Sequence, residues 1–190
     1  MESSYNTEIR TIEVSRVEAN GFILDVGGGG EGIIGKLNGN QVVAIDTSER
    51  ELMETHNEAL KVVMNAVDLK FLPKSFDVCT AFFSFMYIQK GIHQKVFEEV
   101  FRVLKDNGRF LIWDARIPES VTNYKTFTVH LKVKLPNEEV ETSYGVRCQA
   151  QNIEHFKELA KLTGFKVTKD WSKSEIYHLE IHKQLRNPIR

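Results

Sequence analysis

Five of the six residues from Gly27 to Gly32 are glycine, and they follow the short apolar run Phe22-Ile23-Leu24-Asp25-Val26. An apolar run of that length ending in glycines reads as a buried strand. The pattern over residues 32–37 places a short helix directly behind it. Glycines at such a turn let the chain reverse tightly and let a ligand approach backbone N–H groups closely. Formally Gly27-x-Gly29-x-x-Gly32 fits GxGxxG, and Asp46 ends the next apolar run, where a ribose-binding carboxylate would stand. That combination alone suits any sheet that cradles a nucleoside at its carboxyl edge.

Downstream, apolar runs alternate with segments of helical period. Residues 42–46, 62–64, 76–82 and 110–113 read as strands. Residues 48–60, 92–104 and 152–162 read as helices, with Ser48 and Glu51 forming a capping-box pattern and Gly164 just past the last helix. Residues 165–171 and 176–181 close the chain as two strands. Only Ser172-Lys173-Ser174 and its flanks join them, too short a link for a parallel crossover, so this pair is antiparallel. Strands alternating with helices predict an α/β doubly wound sheet of seven strands, mostly parallel, with an antiparallel C-terminal hairpin strand.

One segment breaks the alternation. Over residues 126–135, Phe127, Val129, Leu131, Val133 and Leu135 alternate with polar residues, and alternation resumes over 140–148. This is an amphipathic β-hairpin inserted after strand five, within 116–151. It either roofs a ligand site or covers core, with a homodimer contact as a further use.

Composition narrows the function. A chain of 190 residues suits one domain, 1–190, with the insertion as its lid subregion. With 25 basic against 26 acidic residues, binding nucleic acid through bulk charge is not expected. Cys79 and Cys148 form no CxxC pair, and the N-terminus shows no basic, apolar leader, so the expected setting is cytoplasmic. No apolar run approaches the roughly 20 residues that span a bilayer, so no membrane partner is expected. His178 and His182 would stand roughly 13 Å apart on an extended strand, and no metal set is expected. The basic stretch His182-Lys183-Gln184-Leu185-Arg186 reads as a solvated tail.

Asp25 decides between the nucleoside readings. A carboxylate two residues before Gly27 repels a pyrophosphate and favours a cation, which argues against a nicotinamide dehydrogenase. Here the chain resembles the class I S-adenosylmethionine-dependent methyltransferases, a Rossmann-like family whose first motif reads acidic-x-Gly-x-Gly. Val43-Ala44-Ile45-Asp46-Thr47-Ser48 is similar to the family's second motif and Met64-Asn65-Ala66-Val67-Asp68-Leu69 to its adenine segment. Leu72-Pro73-Lys74-Ser75-Phe76-Asp77-Val78 resembles the loop and fourth strand, and Arg102-Val103-Leu104-Lys105-Asp106-Asn107-Gly108-Arg109 the entry to strand five. The likeness runs from about Phe22 to Ala115, more loosely to Ile181.

The resemblance implies S-adenosyl-L-methionine as cofactor and methyl transfer to a small-molecule acceptor as activity. It places Gly27 and Gly29 under the methionine part, Asp25 beside its amino group, and Asp46, with Thr47, at the ribose. Asn65 and Ala66 fall at the adenine, with Asn65 replacing the usual aspartate. Phe82 and Phe83 fall beside the methyl group. Glu31 departs from the family's third glycine, and no histidine stands near Met86. Acceptor-side candidates, chosen for position alone, are Tyr87, Asp114, Arg116, His130 and Tyr144. Only 21 residues precede Phe22, so the lid role falls to the insertion, and deleting 126–148 is expected to spare cofactor binding. A non-catalytic cofactor-binding protein remains the alternative.

Overall fold

A computed structural model describes residues 3–184. It begins with a strand absent from the sequence reading, β1 (Ser4–Glu13), in the flank before Phe22. Then follow β2 (Ile23–Val26), α1 (Ile33–Asn38), β3 (Val42–Asp46), α2 (Glu49–Glu54), β4 (Leu60–Val63), β5 (Phe76–Phe82), α3 (His93–Val103) and β6 (Leu104–Ala115). The hairpin is β7 (Thr126–Lys134) and β8 (Glu139–Arg147); α4 (Ile153–Thr163), β9 (Phe165–Lys173) and β10 (Ile176–Lys183) close the chain.

The main sheet has seven strands in the order β4-β3-β2-β5-β6-β10-β9. Its first five strands pair in parallel, and β10 runs antiparallel to both β6 and β9. This is the expected Rossmann-like sheet. The order reverses at β2, whose neighbours are β3 on one side and β5 on the other; a crevice at the strands' carboxyl ends forms at such a point.

Each face of the sheet has its own cover. Leu24, Val26, Cys79 and Ala81 pack against Val96, Phe97 and Val100 of α3 and Phe156 of α4. Ile23, Val42, Val78 and Trp113 pack against Ile33 and Ile34 of α1 and against the insertion. Central strands buried on both sides are why β2 and β5 read as continuous apolar runs.

The insertion is more than a flap. β7 pairs in parallel with β1 and antiparallel with β8, giving a second, three-stranded sheet. Its inner face buries Phe127, Val129, Leu131 and Val133 to 1% exposure or less. Each such side chain contributes roughly 1.5–3 kcal/mol, so deleting four of them would consume much of a domain's typical ~5–15 kcal/mol. Deleting 126–148 therefore removes core, and the expectation that it spares cofactor binding does not stand.

Three further expectations are corrected. The helix over 48–60 stops at Glu54, because Thr55 leaves helical geometry and its hydroxyl reaches back to the Glu51 and Gly30 carbonyls. The strand read at 110–113 is β6 and begins already at Leu104, with an irregularity between the pairs Phe76–Leu104 and Val78–Arg109. Lys183 is not in a solvated tail: it is 7% exposed, and its Nζ donates to the Phe101 and Leu104 carbonyls at the end of α3. Leu185 and Arg186 of that stretch lie outside the described residues.

Candidate active site

The carboxyl ends of β2, β3 and β5 and the loop after β4 border one cavity of about 820 Å³. At its centre is the loop after β2. Gly27 has φ +74°, and a Cβ there would stand 2.5 Å from Ser84 Cβ, so this position requires glycine on both counts. The N–H groups of Gly27 and Gly28 donate to the Ile45 carbonyl and that of Gly30 to the Glu51 carbonyl, which fixes the bend through the chain's own backbone.

Asp25 lies beneath this bend, 2% exposed, and accepts a 2.7 Å hydrogen bond from the Thr80 hydroxyl. Burial pushes its carboxyl up to about 7; the Thr80 hydrogen bond pulls the other way, and the nearby Asp46 charge adds to the rise. A cation beside it would favour the ionised form. Asp46 ends β3 and accepts from the Ser48 amide through Oδ1 at 2.9 Å. Its Oδ2 comes within 3.0 Å of where a Gly29 Cβ would lie, so glycine there keeps the carboxylate open to the cavity. Thr47 is exposed beside it. Asn65 and Ala66 line the cavity beyond β4, and the Asn65 side-chain carbonyl already accepts from the Val67 amide at 3.1 Å.

The other end is aromatic. Phe82 and Phe83 meet edge to face with centroids 5.0 Å apart, and Tyr144 stacks on Phe83 at 5.2 Å with planes 10° apart. Phe83 holds φ +50°, a strained value for a bulky residue, while its amide donates to the Trp113 carbonyl at 2.7 Å. Tyr87 lines the cavity, 53% exposed as a residue. Tyr144 donates to Glu31 Oε2 at 3.0 Å, and the Thr142 hydroxyl donates to Glu31 Oε1. Burial and Glu31 together hold the Tyr144 phenol well above its usual range, so it remains a neutral donor.

Thus the nine residues expected around a cofactor (Asp25, Gly27, Gly29, Asp46, Thr47, Asn65, Ala66, Phe82 and Phe83) all line this cavity, as do Tyr87 and Tyr144 among the acceptor-side candidates. The other three candidates are not among its lining residues. Asp114 is fully buried and accepts from the Phe85 and Ala115 amides and from Gln151. Arg116 is exposed past the end of β6. His130 faces Asn6 and Ser143 on the outer side of the second sheet, reaching the cavity rim only through Ser143.

Glu31, seen only as a missing glycine, and Ser84, Ile88, Gln89 and Ile92, which flank Tyr87 after β5, line the cavity without having been singled out in the sequence. A charged residue inside a glycine loop was the available signal for Glu31. No signal marked Ser84, whose hydroxyl donates to the Val26 carbonyl at 2.8 Å.

Residues 24–112 match the family model described as a methyltransferase domain. No curated protein matches the sequence. Among solved structures, an S-adenosylmethionine-dependent methyltransferase of Methanosarcina mazei aligns with TM-score 0.65 at 16% identity, covering 90% of this chain and 95% of that one. The PH0226 protein of Pyrococcus horikoshii aligns with TM-score 0.62 at 20% identity, covering 87% and 84%. The cyclase SpnF aligns with TM-score 0.60 at 14% identity, covering 87% and 76%. Likenesses at these identities establish the fold, and the matched domain adds the sequence signature. Residues 24–112 thus carry the sequence signature of a methyltransferase domain, and the glycine loop, strand-end carboxylates and sheet order give the chain the fold of the S-adenosylmethionine-dependent methyltransferases.

Proposed function

We propose that this protein transfers the methyl group of S-adenosylmethionine, by in-line displacement, to a small molecule held at the aromatic end of the cavity. The observation that carries the reading is the continuity of one cavity from Asp46 and Asn65 to Phe83, Tyr87 and Tyr144. It joins an end bordered by strand-end carboxylates to an aromatic end.

The residues fit the cofactor. The Asp46 carboxylate, kept open by Gly29, suits a ribose diol. Asn65 and Ala66 suit the edge of an adenine, although the engaged Asn65 carbonyl leaves one lone pair for it. Asp25, buried beneath the bend, suits the cationic methionine part. When bound, the cofactor supplies a methyl group activated by its sulfonium. The chain must then align the acceptor and exclude water, and alignment of this kind is worth about 7–11 kcal/mol. Phe82, Phe83 and the Tyr144 ring supply a dry wall for it. Among the described residues that line the cavity there is no histidine.

A second reading, cofactor binding without methyl transfer, draws support from that same lack of an imidazole and from the likeness to a cyclase. A cytoplasmic setting accords with two cysteines that form no disulfide. Among the described residues no helix is long and apolar enough to cross a membrane.

Calorimetry with S-adenosylhomocysteine against NAD, followed by a labelled-methyl screen over metabolite pools, tests the proposal. Binding of S-adenosylhomocysteine with label transfer supports it. Binding without transfer favours the second reading, and binding of NAD alone ends both.

A further inference from the structure

We infer that the methyl acceptor is an amine, carried into the site as a cation. The inference rests on the methyl-transfer reading and concerns the charge of the whole cavity. Asp25, Glu31, Asp46 and Glu51 all line it, and among the described residues no Lys, Arg or His does. The basic side chains nearby in sequence are directed elsewhere. Lys36 on α1 pairs with Glu138, and Lys90 lines a separate small cavity with His93 and His155.

Asp25, Asp46 and Glu51 sit where the cofactor would lie, but Glu31 belongs to the other compartment. It is held against β8 by two hydroxyl donors, Thr142 and Tyr144, and Tyr144 in turn stacks on Phe83. A carboxylate offers about four acceptor sites, so Glu31 keeps capacity for an incoming N–H donor. Aromatic faces beside a carboxylate make a site for an organic cation, because both present negative potential to it. A carboxylate- or phosphate-bearing acceptor would meet the Glu31 carboxylate and, among the described lining residues, no guanidinium or ammonium to hold it.

The chemistry balances without a further reactant. The bound ammonium gives one proton to water, and its nitrogen lone pair then forms the N–C bond while the C–S bond breaks. The bonding pair stays on sulfur, leaving a neutral thioether and the methylated ammonium. Glu31 orients the nitrogen and takes no part in bond making; it is a specificity residue.

Three probes of one shape separate the possibilities: phenethylamine, 2-phenylethanol and 3-phenylpropionate, titrated into protein saturated with S-adenosylhomocysteine. If S-adenosylhomocysteine does not bind, the methyl-transfer reading falls first. Given that it binds, the amine should bind at least about tenfold tighter than the other two, the usual worth of one charge-assisted contact. Equal binding, preference for the acid or alcohol, or no binding by any probe overturns the inference. Glu31→Gln should weaken the amine about tenfold while leaving S-adenosylhomocysteine affinity within about threefold. In a metabolite extract fractionated by charge, labelled product should appear in the cation-exchange fraction; label confined to the anionic or neutral fraction overturns it.

Discussion

Tyr144 on β8 and Glu31 in the glycine loop are joined by a 3.0 Å hydrogen bond, 113 residues apart in sequence. The bond makes the inserted sheet and the cofactor loop neighbours across the cavity. It also explains how a glutamate is accommodated in a run of glycines: its charge is met by two hydroxyls from the insertion.

Replacing Tyr144 by Phe keeps the ring on Phe83 and removes only this bond. Hydrogen bonds to charged groups contribute about 1.5–3 kcal/mol, and Thr142 still engages the other oxygen, so a loss near the lower figure is expected. Urea unfolding should show it, and hydrogen exchange should speed up in β8. Unchanged stability and exchange would mean that Glu31 does not fasten the hairpin.

Asp46→Ala should weaken S-adenosylhomocysteine by about 1.5–3 kcal/mol, roughly 10- to 150-fold, if the carboxylate accepts the ribose hydroxyls. The variant also frees the Ser48 amide at the start of α2, so thermal unfolding should accompany the calorimetry. A properly folded variant with parental affinity would remove Asp46 from the site.

The main sheet was legible because its physics is local. Buried parallel strands are uniformly apolar, as in β2 and β5, and caps such as Ser48 and Asn152 are set by side chains within one turn. β1 was not legible: only Thr7 and Ile12 of it are buried, and a register shift between Asn6 and Ile9 interrupts the alternation. Its partner β7, over a hundred residues away, is what makes it a strand. In the site, Asp25 and Asp46 could be read from strand ends, whereas Asp114 carries the same chemistry and points away from the cavity. Sequence position places a residue at an edge; hydrogen-bond demand, here from Phe85, Ala115 and Gln151, decides where it turns.

Asp25 predicts a pH dependence for cofactor binding. Burial raises its carboxyl to about 7. A bound cation lowers that value, so binding below pH 7 must expel a proton, and affinity should rise with pH up to about 7 by at most about tenfold per unit. Titrations with S-adenosylmethionine at pH 5.5, 6.5 and 7.5 should show a slope that Asp25→Asn removes. Identical slopes in parent and variant would disconnect Asp25 from the cation.

Asp114 makes a separate prediction, about stability and the shape of the acceptor end. It is fully buried, accepting from the Phe85 amide at 2.8 Å through one oxygen and from Ala115 at 2.7 Å and Gln151 at 2.8 Å through the other. Burial raises its carboxyl to about 7 despite these donors. A folded-state value above the unfolded one means that the folded protein holds an extra proton between about pH 4 and 7. The Asp114 contribution to stability therefore falls as pH rises through that window and levels off above it. Asp114→Asn cannot titrate and turns an N–H₂ toward an N–H donor, at a cost of about 1–3 kcal/mol. Its deficit against the parent should be largest near pH 5 and shrink toward pH 7, by at most about 1.4 kcal/mol per unit. The Phe85 amide begins the short helix that carries Tyr87, so the variant should lose acceptor kcat/KM more than cofactor affinity. Urea unfolding of both proteins at pH 5, 6, 7 and 8 measures the first effect. A deficit constant across that range would show that Asp114 titrates in the fold as it does in the unfolded chain.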